Sequence, residues 1–200
     1  MSSKALWYLA RGSGVVSLIL LTLAVLAGLV TVSRWSGRGW PRFVVEALHR
    51  NLSLLAPIFL VIHIASSVFD KYVSIRWVDA VVPLGASYKP FWLGMGALSL
   101  DLFLAVAITS LVRAHLGHRA WRAVHWLAYG CFALAVVHGL GIGSDRHQAW
   151  FLAVNLAAVA SVAAALAWRL ASPGRRAPAV PPLASSSPAR TRNTPEGAFR

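Results

Sequence analysis

Apolar positions along this chain gather into five long runs, roughly Gly14–Val32, Glu46–Phe69, Phe91–Val112, Trp121–Ile142 and Gln148–Leu170. Each run holds about 19 to 24 residues, and at about 1.5 Å rise per residue some 20 are needed to cross about 30 Å of hydrocarbon. Eight of the nine tryptophans (Trp7, Trp35, Trp40, Trp77, Trp92, Trp121, Trp150 and Trp168) fall near the ends of the runs, where an amphipathic ring suits the membrane–water interface. The pattern predicts an all-α membrane protein, a bundle of about five transmembrane helices. Lys4 and Arg11 precede the first run as in a signal peptide, but the run is long for one. Thr31-Val32-Ser33-Arg34-Trp35 follows it where a small-residue cleavage site would stand, so it reads as a retained helix.

Composition agrees with that reading. Of the 200 residues, 58% are hydrophobic and 12% charged, against about 25% charged in a soluble domain. The excess of 19 Lys and Arg over 6 Asp and Glu would suit a nucleic-acid binder if it formed one patch. It does not: the basic residues punctuate the apolar runs at headgroup level, so the expected partners are membrane lipids and not nucleic acid. Six of the cations (Lys4, Arg11, Lys71, Arg76, Lys89, Arg146) fall on one side of the predicted topology and the other thirteen on the opposite side. The positive-inside rule then puts the N-terminus outside and the C-terminus in the cytoplasm of a bacterial plasma membrane. The single Cys131 excludes an internal disulfide and reads as a small buried hydrophobe.

Two further stretches stand out. Residues 171–200 are rich in Pro, Ser, Ala and Arg, which predicts a disordered basic cytoplasmic tail following a membrane domain over residues 1–170. Some 30 such residues cannot form a nucleotide- or flavin-binding domain. The connection Asp70–Pro90 is the longest in the chain, and its length predicts a structured cap on the outer face.

Candidate chemistry lies in the histidines. His115, His118 and His147 fall in loops and read as solvated or headgroup-level residues. His49 and His63 fall in the second run, His125 and His138 in the fourth, where ionisable groups are costly and usually face a site. The spacings of 14 and 13 residues correspond to about 21 and 20 Å of helical rise. The second and fourth runs are two crossings apart and so parallel. That sets His49 level with His125 near the inner face, and His63 level with His138 near the outer face. Two histidines at each of two depths are what two bis-histidine b-type haems stacked across a bilayer require. The bland alternative is four helix-packing histidines bonded to neighbouring backbone.

At 100° per residue, 14 residues return to within about 40° of the starting face, but 13 miss it by about 140°. A π-bulge, supercoil or tilt is therefore expected in the fourth helix. Pro57 should bend the second.

The segments H-R-N-L-S-L (His49–Leu54), V-I-H-I (Val61–Ile64), R-A-V-H-W (Arg122–Trp126) and V-V-H-G (Val136–Gly139) resemble the ferric reductase-like transmembrane superfamily. That group includes eukaryotic ferric reductases, the membrane part of NADPH oxidases and bacterial MsrQ-type haem subunits. The likeness covers about Leu6 to Leu170 and is to short bacterial members without a fused FAD and NAD(P)H domain. It implies haem-iron ligation by His49 with His125 and by His63 with His138, beginning near the cytoplasm. It also implies that Arg11 contacts a propionate of the outer haem, while lack of the dehydrogenase domain counts against direct nicotinamide oxidation.

With both axial positions filled, such haems pass electrons without binding substrate. Arg50, Arg119 and Arg122 at the inner face and Arg11 at the outer are candidates to pair propionates, with interface snorkelling as the alternative. Asp101, within the third run, is a candidate proton path or hydrogen-bond anchor. Glu46 reads as a helix N-terminal charge. The string Gly139-Leu140-Gly141-Ile142-Gly143 follows a membrane helix instead of a strand, so it is discarded as a phosphate loop. The expected function is transmembrane electron transfer as the haem-b subunit of a membrane oxidoreductase. Its partners would be a separate redox protein, a flavoprotein foremost, with quinone or flavin as further cofactors. The alternatives are a haem-free scaffold or proton-relay module, and a haem-containing quinol oxidoreductase.

Overall fold

The computed structural model describes residues 3–32, 41–70, 73–143 and 145–171; the expected tail, from Ser172 onward, lies outside the described residues. Helices α1 (Ser3–Val32), α2 (Arg42–Phe69), α4 (Pro90–Leu111) and α8 (Ala149–Ala171) are long and apolar. The short α3 (Trp77–Val81) and α5 (Arg113–Leu116) sit between them, and α6 (His118–His125) is followed end to end by α7 (Leu127–Ile142). With α6 and α7 taken as one rod, five helices are long and apolar enough to cross a membrane, and no strand occurs among the described residues.

Helix α1 is the hub. Its Leu18, Val25 and Leu29 pack with Phe132 and Val136 of α7 and with Ala158 and Val162 of α8. It also lies along α2, while α4 lies along α7. The outward faces stay apolar: Leu54, Ile58 and Val61 of α2, Ile108 and Leu111 of α4, and Leu156 of α8 are all exposed. In water such faces would drive aggregation; against acyl chains they are the solvated surface.

Several boundaries move. Helix α1 begins about three turns before the first apolar run, so Arg11 is helical instead of flanking. Helix α2 begins at Arg42, which puts Glu46 beyond the first turn; it pairs with Arg42 at 3.8 Å and is exposed. The chain runs helical through Pro57. Between α4 and the fourth span, the expected loop is mostly helix, turning at Gly117 with φ of 72°, a left-handed value that glycine adopts without Cβ strain.

The fourth span is interrupted at Trp126, between His125 and His138. The Trp126 N–H reaches Arg122 O at 3.3 Å, and the Tyr129 N–H bonds Trp126 O at 3.2 Å, an i to i+3 contact. One such tightened turn recovers about 60° of the 140° that a regular helix would miss.

The long connection folds as a cap. Arg76 and Asp79 close the start of α3 reciprocally, with the Asp79 carboxylate accepting from the Arg76 N–H at 2.9 Å and from its guanidinium at 2.8 Å. The hydrogen bond from the Arg76 side chain, followed by that from its backbone, holds the Asp79 carboxyl below its usual range. Leu84, at φ 66°, lays its backbone N against Gly94 of α4, where a Cβ would come within 2.8 Å.

Candidate cofactor site

The structure brings His49 together with His125 and His63 together with His138. Their ring centroids lie 6.2 Å and 6.3 Å apart, with interplanar angles of 75° and 84°. That separation lies within the range of an edge-to-face ring pair and is also the one that a shared metal would set. Two metal–imidazole bonds of about 2.0 Å and two ring radii of about 1.1 Å span about 6.2 Å. The His49–His125 pair sits at the end carrying α5, α6 and most of the arginines, called here the basic end. The His63–His138 pair sits below the cap, at the capped end.

Each of three rings is held by the same local device. His63 Nδ1 meets Ala10 O at 2.7 Å, His49 Nδ1 meets Ala24 O at 2.8 Å, and His138 Nδ1 meets Trp92 O at 2.9 Å. A carbonyl can only accept, so each Nδ1 carries the proton and each Nε2 keeps its lone pair, the state a metal ligand needs. Four residues beyond each carbonyl stands a glycine: Gly14, Gly28 and Gly96. In a helix a carbonyl points toward the residue four ahead, so a glycine there bares the oxygen to a side chain from the next helix. A Cβ would meet the His63 ring at 2.9 Å from Gly14, the His49 ring at 3.3 Å from Gly28, and the His138 ring at 2.5 Å from Gly96.

His125 departs from this rule. The position matching the three glycines is Ser110, fourteen residues after Gly96 as Gly28 is fourteen after Gly14. His125 Nδ1 is buried with no hydrogen-bond partner. The ring is stacked instead on Trp121, at 5.0 Å and 29°, and the Trp121 indole N–H donates to Ser110 Oγ at 3.3 Å.

Among the described residues no three His, Cys, Asp or Glu side chains converge on one point. A bare transition-metal ion held by protein alone takes three or four such ligands. Paired histidines with nothing else would suit a b-type haem on ligand type and separation at both levels, with the tautomer fixed at His49, His63 and His138 but not at His125.

A cavity of about 320 Å³ surrounds the capped-end pair. Its wall includes both histidines, the ring of Tyr88 from the cap, and Ser17, whose buried hydroxyl has no partner. Arg11 also lines it; the guanidinium pairs with Asp145 and lies 3.8 Å from the Trp7 ring centre. Of the four candidate arginines, Arg11 alone faces this space, whereas Arg50, Arg119 and Arg122 are exposed at the basic end. His115, His118 and His147 are exposed as well. Asp101 is half-buried on α4, and Cys131 is buried, its carbonyl accepting from Ser99 Oγ at 3.0 Å.

Sequence reasoning missed the glycines. The signal was present: glycines at the same 14-residue interval as the histidines they face, one helix earlier. It also missed why the Gly139–Gly143 string is glycine-rich. A Cβ on Gly141 would lie 1.8 Å from Trp92 Cε3, so the string lets α7 close onto the residue whose carbonyl holds His138.

The family described as Domain of unknown function (DUF8596) matches residues 5–145. The chain belongs to this family. The DUF8596 stretch takes in both histidine pairs, the three glycines, Trp121 and Ser110, and ends on Asp145, the partner of Arg11. No curated protein and no solved structure matches the chain.

Proposed function

We propose that this chain carries electrons across a membrane as the haem-b subunit of an oxidoreductase, in the manner of the ferric reductase-like superfamily. The observation that carries the reading is the pair of centroid separations, 6.2 and 6.3 Å, at two levels of one bundle. Bound there, b-type haem supplies a one-electron couple at each level. The chain supplies the rest. His49, His63 and His138 present Nε2 because a backbone carbonyl fixes the proton on Nδ1. Hydrogen bonding of that kind orients a ligand ring and raises its basicity. His49 with His125 and His63 with His138 would hold the two haems, which would then supply outer-sphere electron transfer.

Arg11, held by Asp145 at the cavity wall, is suited to a haem propionate by charge and fork geometry. By the positive-inside rule the basic end faces the cytoplasm and the cap faces outward in a bacterial plasma membrane. Donor and acceptor are separate molecules: a flavoprotein or quinone on one side, and a flavoprotein, metal chelate or oxidised protein on the other.

The test is a dithionite-reduced minus oxidised spectrum of the purified full chain. Low-spin b-type bands, halved by His63→Ala or by His49→Ala, are expected. Absence of those bands, with stability unchanged in both variants, would leave the histidines as packing groups or a proton relay. Reduction by a quinol in place of dithionite distinguishes a quinol oxidoreductase from a subunit fed by a flavoprotein.

A further inference from the structure

Three of the four rings share one holding device and the fourth does not. His49, His63 and His138 each donate to a carbonyl exposed by a glycine, on long helices. His125 has no acceptor at Nδ1, and a serine stands where the glycine would be. It is also the last residue of α6, an eight-residue helix with no buried residue, and the helical ladder is interrupted at the next position, Trp126. Short, exposed segments open at low cost relative to a packed core. What remains to hold the ring is the Trp121 indole, stacked at 5.0 Å and tethered to Ser110 Oγ.

We infer that Trp121, anchored by Ser110, is the positioning residue for His125, and that His125 is the one axial ligand a small external donor displaces. The inference rests on the haem reading and deepens it: one of the two centres can open a coordination position, and it is the one at the basic end. In the exchange the bond from iron to His125 Nε2 breaks and one from iron to the entering donor atom forms. No electron is transferred, and the imidazole leaves neutral with its proton still on Nδ1.

Carbon monoxide on the dithionite-reduced full chain in detergent is the probe, read as the share of total haem whose Soret band shifts and the rate at which it does. The expected result is that Trp121→Leu speeds the reaction by about 10-fold or more, as loss of an outer-shell partner does. The reactive share should be confined to one of the two haems. Trp121→Phe keeps a stacked ring but loses the bond to Ser110 Oγ, as Ser110→Ala does, so both should move in the direction of Trp121→Leu by a smaller and similar factor. In a His63→Ala background, where only the basic-end centre is complete, the Trp121→Leu effect should persist. Equal rates in wild type, Trp121→Leu and Ser110→Ala would overturn the inference while leaving the haem reading intact. So would reaction of the capped-end haem first. Absence of haem bands in the wild-type chain would overturn both.

Discussion

Replacing Gly96 with alanine tests the holding device most sharply. The new Cβ would lie 2.5 Å from His138 Nδ1, 2.6 Å from Cε1 and 3.0 Å from Cγ, where non-bonded heavy atoms settle at about 3.5–4.0 Å. The ring must therefore retreat by about 1 Å, which takes Nδ1 beyond hydrogen-bonding range of Trp92 O, now at 2.9 Å. Losing such an outer-shell bond weakens metal affinity by about 10–100-fold, or about 1.4–2.8 kcal/mol at 1.4 kcal/mol per tenfold. Because the obstructed group is the end of a side chain, the helices need not separate, so stability should fall by no more than about 1–3 kcal/mol. The same substitution at Gly14 meets His63 at 2.9 Å, and at Gly28 meets His49 at 3.3 Å. Haem per chain, measured as the pyridine haemochrome, should therefore rank Gly28→Ala above Gly14→Ala above Gly96→Ala, the last nearing one haem. Retention of both haems by Gly96→Ala, or greater loss in Gly28→Ala, would refute the reasoning.

Gly141→Ala should be harsher to the fold, since its Cβ would sit 1.8 Å from the Trp92 ring. Both the thermal midpoint and capped-end haem content should drop, and a variant with normal stability would contradict the packing account. The near-perpendicular imidazoles, at 75° and 84°, would leave the two π-type d orbitals of a bound ferric haem nearly degenerate. Both centres should give a highly anisotropic low-spin EPR signal, and a rhombic signal from both would contradict the ring geometry. In the cap, Asp79 is held below the usual carboxylate range by Arg76. Its contribution is full above the unfolded carboxyl value and is lost as pH falls through the lowered one. Hydrogen-exchange protection of residues 77–81 should therefore fall in acid in the wild-type chain and be insensitive to acid in Asp79→Asn.

Much of this arrangement could be read from the chain. The apolar runs located the spans, because a membrane helix needs an uninterrupted run of fixed length and little else. The pairing of His49 with His125 and of His63 with His138 followed from counting crossings and rise, which depend on topology alone. The 13-residue interval also announced an irregularity in the fourth span, and the interruption at Trp126 lies within it. What escaped was lateral packing. Which helix lies against which is set by small residues and shape complementarity, not by hydropathy, so the glycines opposite His49, His63 and His138 passed unnoticed. The substitution of Trp121 for a carbonyl at His125 was invisible for the same reason. Arg11 was read as flanking the first helix, since the apolar pattern stops before the helix does, and its partner Asp145 lies 134 residues away.

Passage of electrons from one face to the other can be observed in proteoliposomes. Ferricyanide trapped inside and a membrane-impermeant reductant outside can communicate only through the protein. Bleaching of the trapped acceptor is expected with the haem-loaded wild-type chain, and loss of that bleaching in both His63→Ala and His49→Ala, because each would break one level of the relay. Haem-loaded wild-type vesicles that leave the trapped acceptor oxidised would contradict the relay.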